Sequence, residues 1–281
     1  MASPPGSGDA PIPSPPRGGR TGGGASGLAL LCVLFAGCGS EPPARAPGQL
    51  RGAPSDDALW VVTYNVNFER PSEVTVAAIE AAGADLVFLQ ETHEAWEQAI
   101  EELLDYPHVE FRHDEAEGGM AVLSRVPFEI RRHGRAPQSA FPSTRLVAHT
   151  PLGALDVLHV HLHPPLDEDG SLVVGYFTTS TRRYDELVHQ LRGRTPDLVL
   201  GDFNEGEGPA IEHLESLSMA QAQTTLGPPE RTWTWDAGAT ELEGRPDHVF
   251  AGRALRVTGV QVLLRGDSDH RPLRVALEAA R

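Results

Sequence analysis

The stretch DLVLGDFN, residues 197–204, contains an apolar run that ends in polar residues. A short apolar run of this kind is typical of a strand that is buried on both faces of a sheet. Asp202 and Asn204 follow the run directly. Because α/β enzymes gather their functional residues beyond the ends of such strands, this stretch predicts a buried strand with a functional site at its end.

The same pattern occurs at other apolar runs in the chain. Asn65 lies near the end of LWVVTYNV (59–66), and Glu91 follows DLVFLQ (85–90). Apolar residues at helical spacing predict helices, at residues 72–82, 94–104, 177–192 and 208–217. Further strands are predicted at residues 120–124, 144–150, 154–162, 197–201, 247–251, 255–264 and 272–277. Short strands with a few helices between them predict an α/β protein with two packed sheets flanked by helices.

Polar residues also mark three other predicted strands. His161 lies within LHVHL, the pair Asp247 and His248 precedes VF, and the pair Asp269 and His270 precedes RPL. Each residue alone could form a turn or cap a helix. Together, the residues at the strand ends supply carboxylate and amide oxygens, which suit Mg²⁺, Mn²⁺ or Ca²⁺. The Asp-His pairs add groups for acid and base catalysis.

An ordered set of motifs resembles the endonuclease/exonuclease/phosphatase superfamily, which includes pancreatic-type deoxyribonucleases, abasic-site endonucleases, inositol polyphosphate phosphatases and bacterial sphingomyelinases. The motifs span about residues 59–278 and are TYNVN, LQET, GGMAVLSR, HVHLH, GDFNE, DHVF and SDHRPL. GDFN and SDHRPL are the most specific of them. The resemblance implies an α/β fold, a four-layered sandwich of two packed mixed β-sheets flanked by helices.

The resemblance also implies a divalent metal, Mg²⁺ or Mn²⁺. Glu91 would bind this metal, helped by Asn65 and Asp269. A phosphoester carries negative charge, so its attack by water needs a cation and positively polarised donors at the developing charge. A carboxylate-rich site would therefore serve the reaction by holding the cation.

Further residues receive catalytic roles from the resemblance. Asp202 and Asn204 would orient the attacking water or contact the phosphate, and His161 would bind a phosphate oxygen. His270, paired to Asp247, would transfer protons, since the ordinary pKa of histidine lies near neutrality. Because these residues are all present, an active enzyme is favoured over a catalytically inactive binding protein of the same fold.

Other interpretations of nearby residues stay open from sequence. His159 and His163 share one face of a strand with His161, and three histidines could instead bind zinc. The acidic run at residues 167–169 could hold calcium or form a solvated loop. His248, although it follows an aspartate, is interpreted as a bystander.

The chain is acidic, with 39 Asp and Glu against 23 Lys and Arg and a formal net charge of -16. Tight nucleic-acid binding usually needs a basic face, so this charge balance disfavours it. A local row of arginines along the cleft could nevertheless bind nucleic-acid phosphates despite the acidic chain. The arginines that could form it are Arg112, Arg125, Arg131, Arg132 and Arg135. Arg131 and Arg132 are predicted in an exposed, strand-breaking segment that ends at Gly134.

The N-terminal region predicts export. Residues 28–36 (LALLCVLFA) form an apolar run that is shorter than the roughly 20 residues needed to span a bilayer, as in a signal peptide. The run leads into Gly37-Cys38, which resembles a bacterial lipobox in which Cys38 becomes lipidated. The alternative is an ordinary secretory peptide, cut near Gly39, that leaves Cys38 unmodified.

Three regions are therefore predicted along the chain. Residues 1–38 form a lipoprotein-type signal peptide with its lipidation site, residues 39–57 a flexible linker, and residues 58–281 one catalytic domain. The two cysteines, Cys32 and Cys38, both precede that domain, so it has no disulfide and no thiolate zinc site. We expect a monomeric lipoprotein anchored to a bacterial membrane, either periplasmic or on the cell surface.

The leading functional prediction is a divalent-metal-dependent phosphohydrolase that cleaves a phosphodiester or a phosphomonoester with an activated water. Its substrate could be a lipid, a nucleotide or a nucleic acid, because substrate choice lies in loops outside the motifs. A nuclease acting on DNA or RNA is the main alternative. Trp233 and Trp235 alternate as in a strand and are predicted to belong to the core or to the wall of the site rather than to a membrane anchor.

Overall fold

The computed structural model describes residues 48–69, 71–166, 170–236 and 241–280. Its strands, in chain order, are β1 (Arg51–Gly52), β2 (Leu59–Asn65), β3 (Leu86–Gln90), β4 (His108–Arg112), β5 (Met120–Ser124), β6 (Phe128–Gly134), β7 (Ser143–Thr150), β8 (Gly153–His161), β9 (Leu198–Asp202), β10 (Ala220–Gln221), β11 (Trp233–Asp236), β12 (Glu241–Gly244), β13 (Asp247–Ala251), β14 (Leu255–Val262) and β15 (Leu273–Ala279). Its α-helices are α1 (Glu73–Ala82), α2 (Glu94–Leu103), α3 (Leu172–Thr178), α4 (Ser180–Leu191), α5 (Pro209–Ser216) and α6 (Ala222–Thr225).

These strands form two large mixed sheets and one small hairpin. The first sheet has seven strands in the order β1-β14-β15-β2-β3-β5-β4, and the second has six in the order β10-β13-β9-β8-β7-β6. β11 and β12 pair only with each other. Each large sheet contains one parallel pair, β2 with β3 in the first and β8 with β9 in the second. The two parallel pairs are also the strands whose ends carry most of the predicted site.

Three buried apolar clusters define the layers. The central cluster takes residues from both sheets, such as Val61 and Phe88 of the first and Val157 and Leu200 of the second. A second cluster joins the outer face of the first sheet to α1 and α2, and a third joins the outer face of the second sheet to α4 and α5. The order helix, sheet, sheet, helix is the predicted four-layered α/β sandwich. Burial of these apolar surfaces is its main stabilising term.

Helix boundaries follow local chemistry. The side chain of Ser72 accepts hydrogen bonds from the backbone N–H groups of Val74 and Thr75 at the start of α1, and Gly83 ends that helix with a φ of 54°. Such caps satisfy backbone groups that lack partners within the helix. The single helix predicted over residues 177–192 is wrong, because two helices, α3 and α4, meet at Thr179. The Thr179 hydroxyl donates to the carbonyl of Gly175 and accepts from Arg183, and a threonine that bonds to the carbonyl four residues before it tends to bend a helix.

The strand-breaking segment predicted around Arg131 and Arg132 is also wrong. These residues belong to β6, which lies at the edge of the second sheet and pairs with β7. Half-buried and exposed residues alternate along β6, and Phe128 and Ile130 pack against the central cluster. Charged side chains on an edge strand discourage pairing with other chains. The same charged residues are the reason that the sequence pattern did not predict a strand here.

Part of the predicted linker is folded. Arg51 and Gly52 form β1, which pairs with β14, and Arg51 is 1% exposed. Its guanidinium donates to the carbonyls of Gln223 and Pro228, so the ordered region begins before residue 58. The predicted signal peptide, Cys38, the first part of the linker and the acidic run at residues 167–169 lie outside the described residues. No helix among the described residues is long and apolar enough to cross a membrane.

Candidate active site

Three polar residues stand side by side at one end of the second sheet. His161 of β8 is paired in register with Asp202 of β9, and Asp202 is paired with Asp247 of β13. Residues paired across neighbouring strands present their side chains on the same face. Asp202 and Asp247 are 1% and 0% exposed, and two carboxylates placed opposite each other repel. Stability alone would not favour this arrangement, so it marks a functional site.

Gly201 explains how β8 and β9 come together at this point. It adopts a φ of +145°, and a Cβ atom there would lie 1.8 Å from the carbonyl oxygen of Val160. Only glycine tolerates both the conformation and the approach. The glycine of GDFN therefore sets the position of Asp202.

The first sheet contributes Asn65 and Glu91 at the ends of its parallel pair. Asn65 is paired in register with Gln90, the last residue of β3. The Asn65 side-chain amide donates to Glu91 Oε1 over 2.8 Å and to Asp202 Oδ2 over 3.1 Å. One amide group thus connects carboxylates from the two sheets.

Glu91 occupies an unusual backbone conformation, with a φ of 63°. Its Oε2 accepts the backbone N–H of Phe68 over 3.2 Å. Burial raises the pKa of Glu91, and the nearby Asp269 carboxylate adds to the increase, while the Asn65 amide and His270 partly oppose it. A left-handed backbone at a non-glycine residue is a sign of a functional constraint, and here it directs the carboxylate into the site.

Asp269 is held by two residues whose roles were not assigned from sequence. Asn67 Nδ2 donates to Asp269 Oδ1 over 3.1 Å, and Trp233 Nε1 donates to Asp269 Oδ2 over 2.8 Å. The backbone N–H of Asn67 also donates to the side-chain oxygen of Asn65. The position of Asn67 in the motif TYNVN, two residues after Asn65, is the one sequence feature that could have indicated a role in the site. Its partner Asp269 lies 202 positions away in the chain.

His270 and Asp247 form a buried pair. His270 Nδ1 lies 2.9 Å from Asp247 Oδ2, and the two residues are 6% and 0% exposed. Burial alone would lower the pKa of His270, but the charges of Asp247 and Asp202 outweigh it and raise the pKa to about 10. The ring of His270 is therefore cationic at neutral pH in the isolated protein.

Asp202 lies between two histidines. Its Oδ2 is 3.7 Å from His161 Nε2 and 3.7 Å from His270 Nε2, and its Oδ1 accepts the backbone N–H of Asn204. Burial raises the pKa of Asp202, and the charge of Asp247 adds to the increase. Asn204, with a φ of 54°, donates its side-chain amide to the carbonyl of Leu162.

His161 differs from His270 in charge. Burial, with the positive charge of His270, lowers the pKa of His161 well below its ordinary value, so its ring is neutral at neutral pH. The ring of Phe141 stacks on it with a centroid separation of 3.8 Å and an interplanar angle of 13°. A neutral, clamped imidazole can offer one N–H group to a phosphoryl oxygen.

The three-histidine zinc site is not formed in the described part of the chain. Ligand atoms that could share a metal were found within 4.8 Å of one another only in Asp202, Asp247 and His270. His159 contacts the side chain of Gln90, and His163 contacts Arg182 instead. His159 and His161 lie on β8, whereas His163 lies two residues beyond its end, and each ring has different neighbours.

His248 lies outside this constellation, as expected for a bystander. Its Nδ1 faces the Gln221 amide at 2.9 Å, and its Nε2 faces the carbonyl oxygen of Glu205 at 2.9 Å. Burial lowers the pKa of His248 to about 4. Both ring nitrogens are occupied, so this histidine supports the loop after β9.

The donor set suits a hard divalent cation. Asp202, Asp247 and His270 place ligand atoms within 4.8 Å of one another. Glu91 is joined to Asp202 through the amide of Asn65, and the charge of Asp269 acts on the pKa values of Glu91 and His270. Burial raises the pKa values of Glu91 and Asp202, and a bound divalent cation would favour the charged forms of both carboxylates. Oxygen ligands without thiolates favour Mg²⁺ or Mn²⁺.

The chain is similar to one known family and to several solved structures. The model of the Endonuclease/Exonuclease/phosphatase family matches residues 62–270. The structure of D. rerio TDP2 humanized by 14 mutations matches with a TM-score of 0.60 and 18% identity, over 79% of this chain and 100% of that chain. The endonuclease/exonuclease/phosphatase from Beutenbergia cavernae DSM 12333 matches with a TM-score of 0.60 and 21% identity, over 80% of this chain and 72% of that chain.

A third match is D. rerio TDP2 complexed with single strand DNA product, with a TM-score of 0.60 and 17% identity over 80% of this chain and 100% of that chain. A comparison with curated protein sequences finds no match. At these identities the structural likeness concerns the fold, and it agrees with the four-layered sandwich described above.

Proposed function

Because the chain belongs to the endonuclease/exonuclease/phosphatase family, whose members generally hydrolyse phosphoesters, we propose that it is a divalent-metal-dependent phosphohydrolase. The proposed reaction cleaves a phosphodiester or a phosphomonoester with an activated water. The observation that carries the proposal is the position of Asp202 Oδ2, which lies 3.7 Å from both His161 Nε2 and His270 Nε2. The Asp202 carboxylate as base, the neutral His161 ring as hydrogen-bond donor and the cationic His270 ring therefore lie next to one another.

Several side chains of the site each have a separate role in the proposed reaction. The carboxylate of Asp202, made more basic by burial, takes the proton of the attacking water as the water oxygen bonds to phosphorus. His161 donates a hydrogen bond to a phosphoryl oxygen, and the His270 imidazolium stabilises the negative charge that develops. The P–O bond to the leaving alcohol then breaks, and the alkoxide takes a proton from solvent. Asp247 holds the ring of His270 in orientation.

Glu91 and Asp269 would hold the metal, with Asn65 beside them. Asn65 also orients Glu91, because its amide donates to Glu91 Oε1. A bound Mg²⁺ or Mn²⁺ would supply Lewis-acid stabilisation to the phosphoryl oxygens and lower the pKa of a bound water. Asn67 and Trp233 keep Asp269 in place through its two oxygens.

Hydrolysis of bis(p-nitrophenyl) phosphate with Mg²⁺ present tests the proposal. We expect Asp202→Asn to lower kcat by about 10²–10⁴-fold, because the amide cannot accept the proton. Asp185→Asn makes the same chemical change at an exposed position of α4 and should leave kcat unchanged. Absence of hydrolysis by the wild-type protein, with phosphate esters still bound, would instead favour an inactive binding protein of the same fold.

A nuclease is the second candidate, because a structure that matches this chain is of D. rerio TDP2 with a single strand DNA product. The basic stretch gives this candidate little support. Arg112 and Arg135 both pair with Asp114, and Arg131 pairs with Glu129. Charges that are neutralised locally release few counterions on binding DNA.

A substrate panel of DNA, RNA, sphingomyelin and inositol phosphates separates the two candidates. The acidic chain should cleave duplex DNA slowly and with a shallow dependence on salt. Rapid plasmid degradation at low salt, strongly suppressed by added salt and by charge reversal at Arg131 and Arg132, would establish the nuclease instead.

The proposed setting is the bacterial cell envelope. The apolar run at residues 28–36 and the lipobox-like sequence ending at Cys38 support an exported lipoprotein. A lipid on Cys38 would keep the domain near a membrane surface, periplasmic or exposed, where phospholipids are abundant. This location favours lipid phosphoesters among the candidate substrates.

A further inference from the structure

The two histidines of the candidate active site are held in different ways. The ring of His270 has a carboxylate partner, since its Nδ1 lies 2.9 Å from Asp247 Oδ2. The Nδ1 of His161 is buried and has no hydrogen-bond partner among the described residues, and its Nε2 lies 3.7 Å from Asp202 Oδ2, beyond hydrogen-bond distance. The backbone of Glu117 is close enough to oppose the lowering of the pKa of His161 by burial, but no described side chain orients this ring by a hydrogen bond.

Packing against Phe141 takes the place of such a hydrogen bond. The two rings are nearly parallel, at 13°, and their centroids are 3.8 Å apart. His161 is 1% exposed and Phe141 is 9% exposed, so the contact lies within the protein. Close-packed side chains have little room to change rotamer, and a flat ring at this separation keeps the imidazole from tilting.

The loop that carries Phe141 is itself anchored. Phe141 belongs to residues 135–142, which connect β6 and β7 and which we name the Phe141 loop. Within it, the Ser139 hydroxyl donates to the carbonyl of Phe141 over 2.7 Å. The guanidinium of Arg135 donates to the carbonyl of Ala140 over 2.5 Å and to Asp114 Oδ1 over 2.6 Å. Because Asp114 lies between β4 and β5 of the first sheet, this ion pair ties the Phe141 loop to the opposite sheet.

We propose that Phe141 is a positioning residue, whose ring holds His161 in the orientation from which Nε2 donates a hydrogen bond to a phosphoryl oxygen. The pair of Asp114 and Arg135 holds the loop that carries this ring. The proposal rests on the phosphohydrolase activity proposed above and deepens it. A hydrogen bond weakens steeply when its donor is misdirected, so the stacked ring matters most in the transition state, where charge develops on the phosphoryl oxygens.

Hydrolysis of bis(p-nitrophenyl) phosphate by the full chain with Mg²⁺ tests the role of Phe141. Phe141→Leu keeps an apolar side chain but removes the flat ring, and it should lower kcat by roughly 5- to 50-fold with little change in KM. Phe141→Tyr keeps the ring and should recover most of kcat. Phe111→Leu is the matched control, since Phe111 of β4 stacks on His113 at 6.3 Å outside the site, and it should leave kcat unchanged.

A double-mutant cycle with His161→Ala separates positioning from other roles. If Phe141 acts through His161, then Phe141→Leu should lower kcat little further once the imidazole is absent. An equal loss in the wild-type and His161→Ala backgrounds would overturn the proposal. A raised KM with an unchanged kcat would also overturn it, because that result would place Phe141 in direct contact with the substrate.

The anchoring pair is tested by removing its cation. Arg135→Met should lower kcat in the same direction as Phe141→Leu but by a smaller factor, because the stack itself remains. Arg256→Met breaks an ion pair of the same length, 2.6 Å, with Glu278, and should leave kcat unchanged. An unchanged kcat in Arg135→Met would contradict the role of the pair.

NMR relaxation of the full chain with ¹³C-labelled histidine tests the inference without any need for activity. The signal of His161 is identified by its loss in His161→Ala. We expect a rigid ring in the wild type and in Phe111→Leu, and a mobile one in Phe141→Leu. A ring that stays equally rigid in Phe141→Leu would overturn the proposal even in an active enzyme. A mobile ring in this variant, with no hydrolysis by the wild type, would support the positioning while the proposed function fails.

Discussion

The side-chain amide of Asn65 donates a hydrogen bond of 3.1 Å to Oδ2 of Asp202 and so joins the ends of the two sheets. The same amide donates to Glu91 Oε1 over 2.8 Å. The carboxylate proposed to hold metal and the carboxylate proposed to act as a base are therefore positioned by one group. Relative movement of the sheets at this end would disturb both.

The Asp247–His270 pair should act as a unit in catalysis. We expect His270→Ala to lower kcat by about 10²–10⁴-fold and Asp247→Asn to lower it in the same direction, because the ring would lose its orientation and charge. The double variant should be little worse than His270→Ala, since residues that act together are not additive. A double-mutant cycle measured with bis(p-nitrophenyl) phosphate checks this, and additive losses would show that the two residues act separately.

Metal removal should abolish activity. EDTA treatment should eliminate hydrolysis, and Mg²⁺ or Mn²⁺ should restore it, because Glu91 and Asp269 offer oxygen ligands. Glu91→Gln should raise the metal concentration needed for half-maximal activity. His163→Ala serves as a control and should leave that concentration unchanged. Restoration by zinc alone, lost on mutation of His159 and His163, would favour a histidine site.

Glu186 should make the fold less stable as pH rises. Burial raises its pKa from an ordinary value of 4.5 to about 7, although the backbone N–H of His163 partly opposes the shift. The folded state therefore binds this proton more tightly than the unfolded state. Its stabilising contribution is complete below pH 4.5 and is lost as pH rises to about 7.

We expect a loss of about 3 kcal/mol from this group across that range. Urea unfolding of the wild type and Glu186→Gln at pH 5 and pH 8 measures it, and the variant should lose less stability. Glu101→Gln, at an exposed position of α2, should behave like the wild type. An equal loss in Glu186→Gln would assign the pH dependence to other groups.

Arg183 and Glu205 form a buried ion pair behind the GDFN loop. The guanidinium Nε lies 2.8 Å from Glu205 Oε2, and both side chains are 1% exposed. Arg183→Met should lower the free energy of unfolding by about 3–5 kcal/mol, because it leaves a buried carboxylate without its cation. Arg131→Met, which breaks an exposed pair with Glu129, should cost less than about 1 kcal/mol. Similar losses in the two variants, measured in urea, would contradict this account.

Cys38 should determine membrane attachment. Expression in a bacterium that processes lipoproteins should place the protein in the membrane fraction, and Cys38→Ala should release it or stall its processing. Ser40→Ala, two residues away in the sequence, provides the control and should remain in the membrane fraction. Unchanged fractionation and mass of Cys38→Ala would rule out the lipid anchor.

Local sequence patterns were sufficient for the buried strands and for the residues at their ends. An apolar run buried on both faces is recognisable by itself, and so the strands that carry Asn65, Asp202 and Asp247 were predicted from sequence. The order of the motifs also pointed to the family and to its four-layered sandwich. Both kinds of information are contained in short stretches of chain.

Strands that are not buried on both faces were missed, because their sequences contain no continuous apolar run. β6, with its two adjacent arginines, carries mixed residues because half-buried and exposed positions alternate along it. β12 was missed because its four residues are exposed or half-buried and form no apolar run. The residues around Arg51 looked like a linker because the pairing of β1 depends on β14, which comes much later in the chain.

The tertiary structure alone decided what each polar side chain meets. Asn67 donates a hydrogen bond to Asp269 across 202 positions of sequence, and the residues next to either one in the sequence do not predict that contact. His159 and His161 lie on one strand and His163 continues their spacing beyond its end, yet the three residues contact Gln90, Asp202 and Arg182 respectively. Periodicity selects the face on which a side chain lies, whereas sheet register and packing between layers select its partners, and those depend on the whole chain.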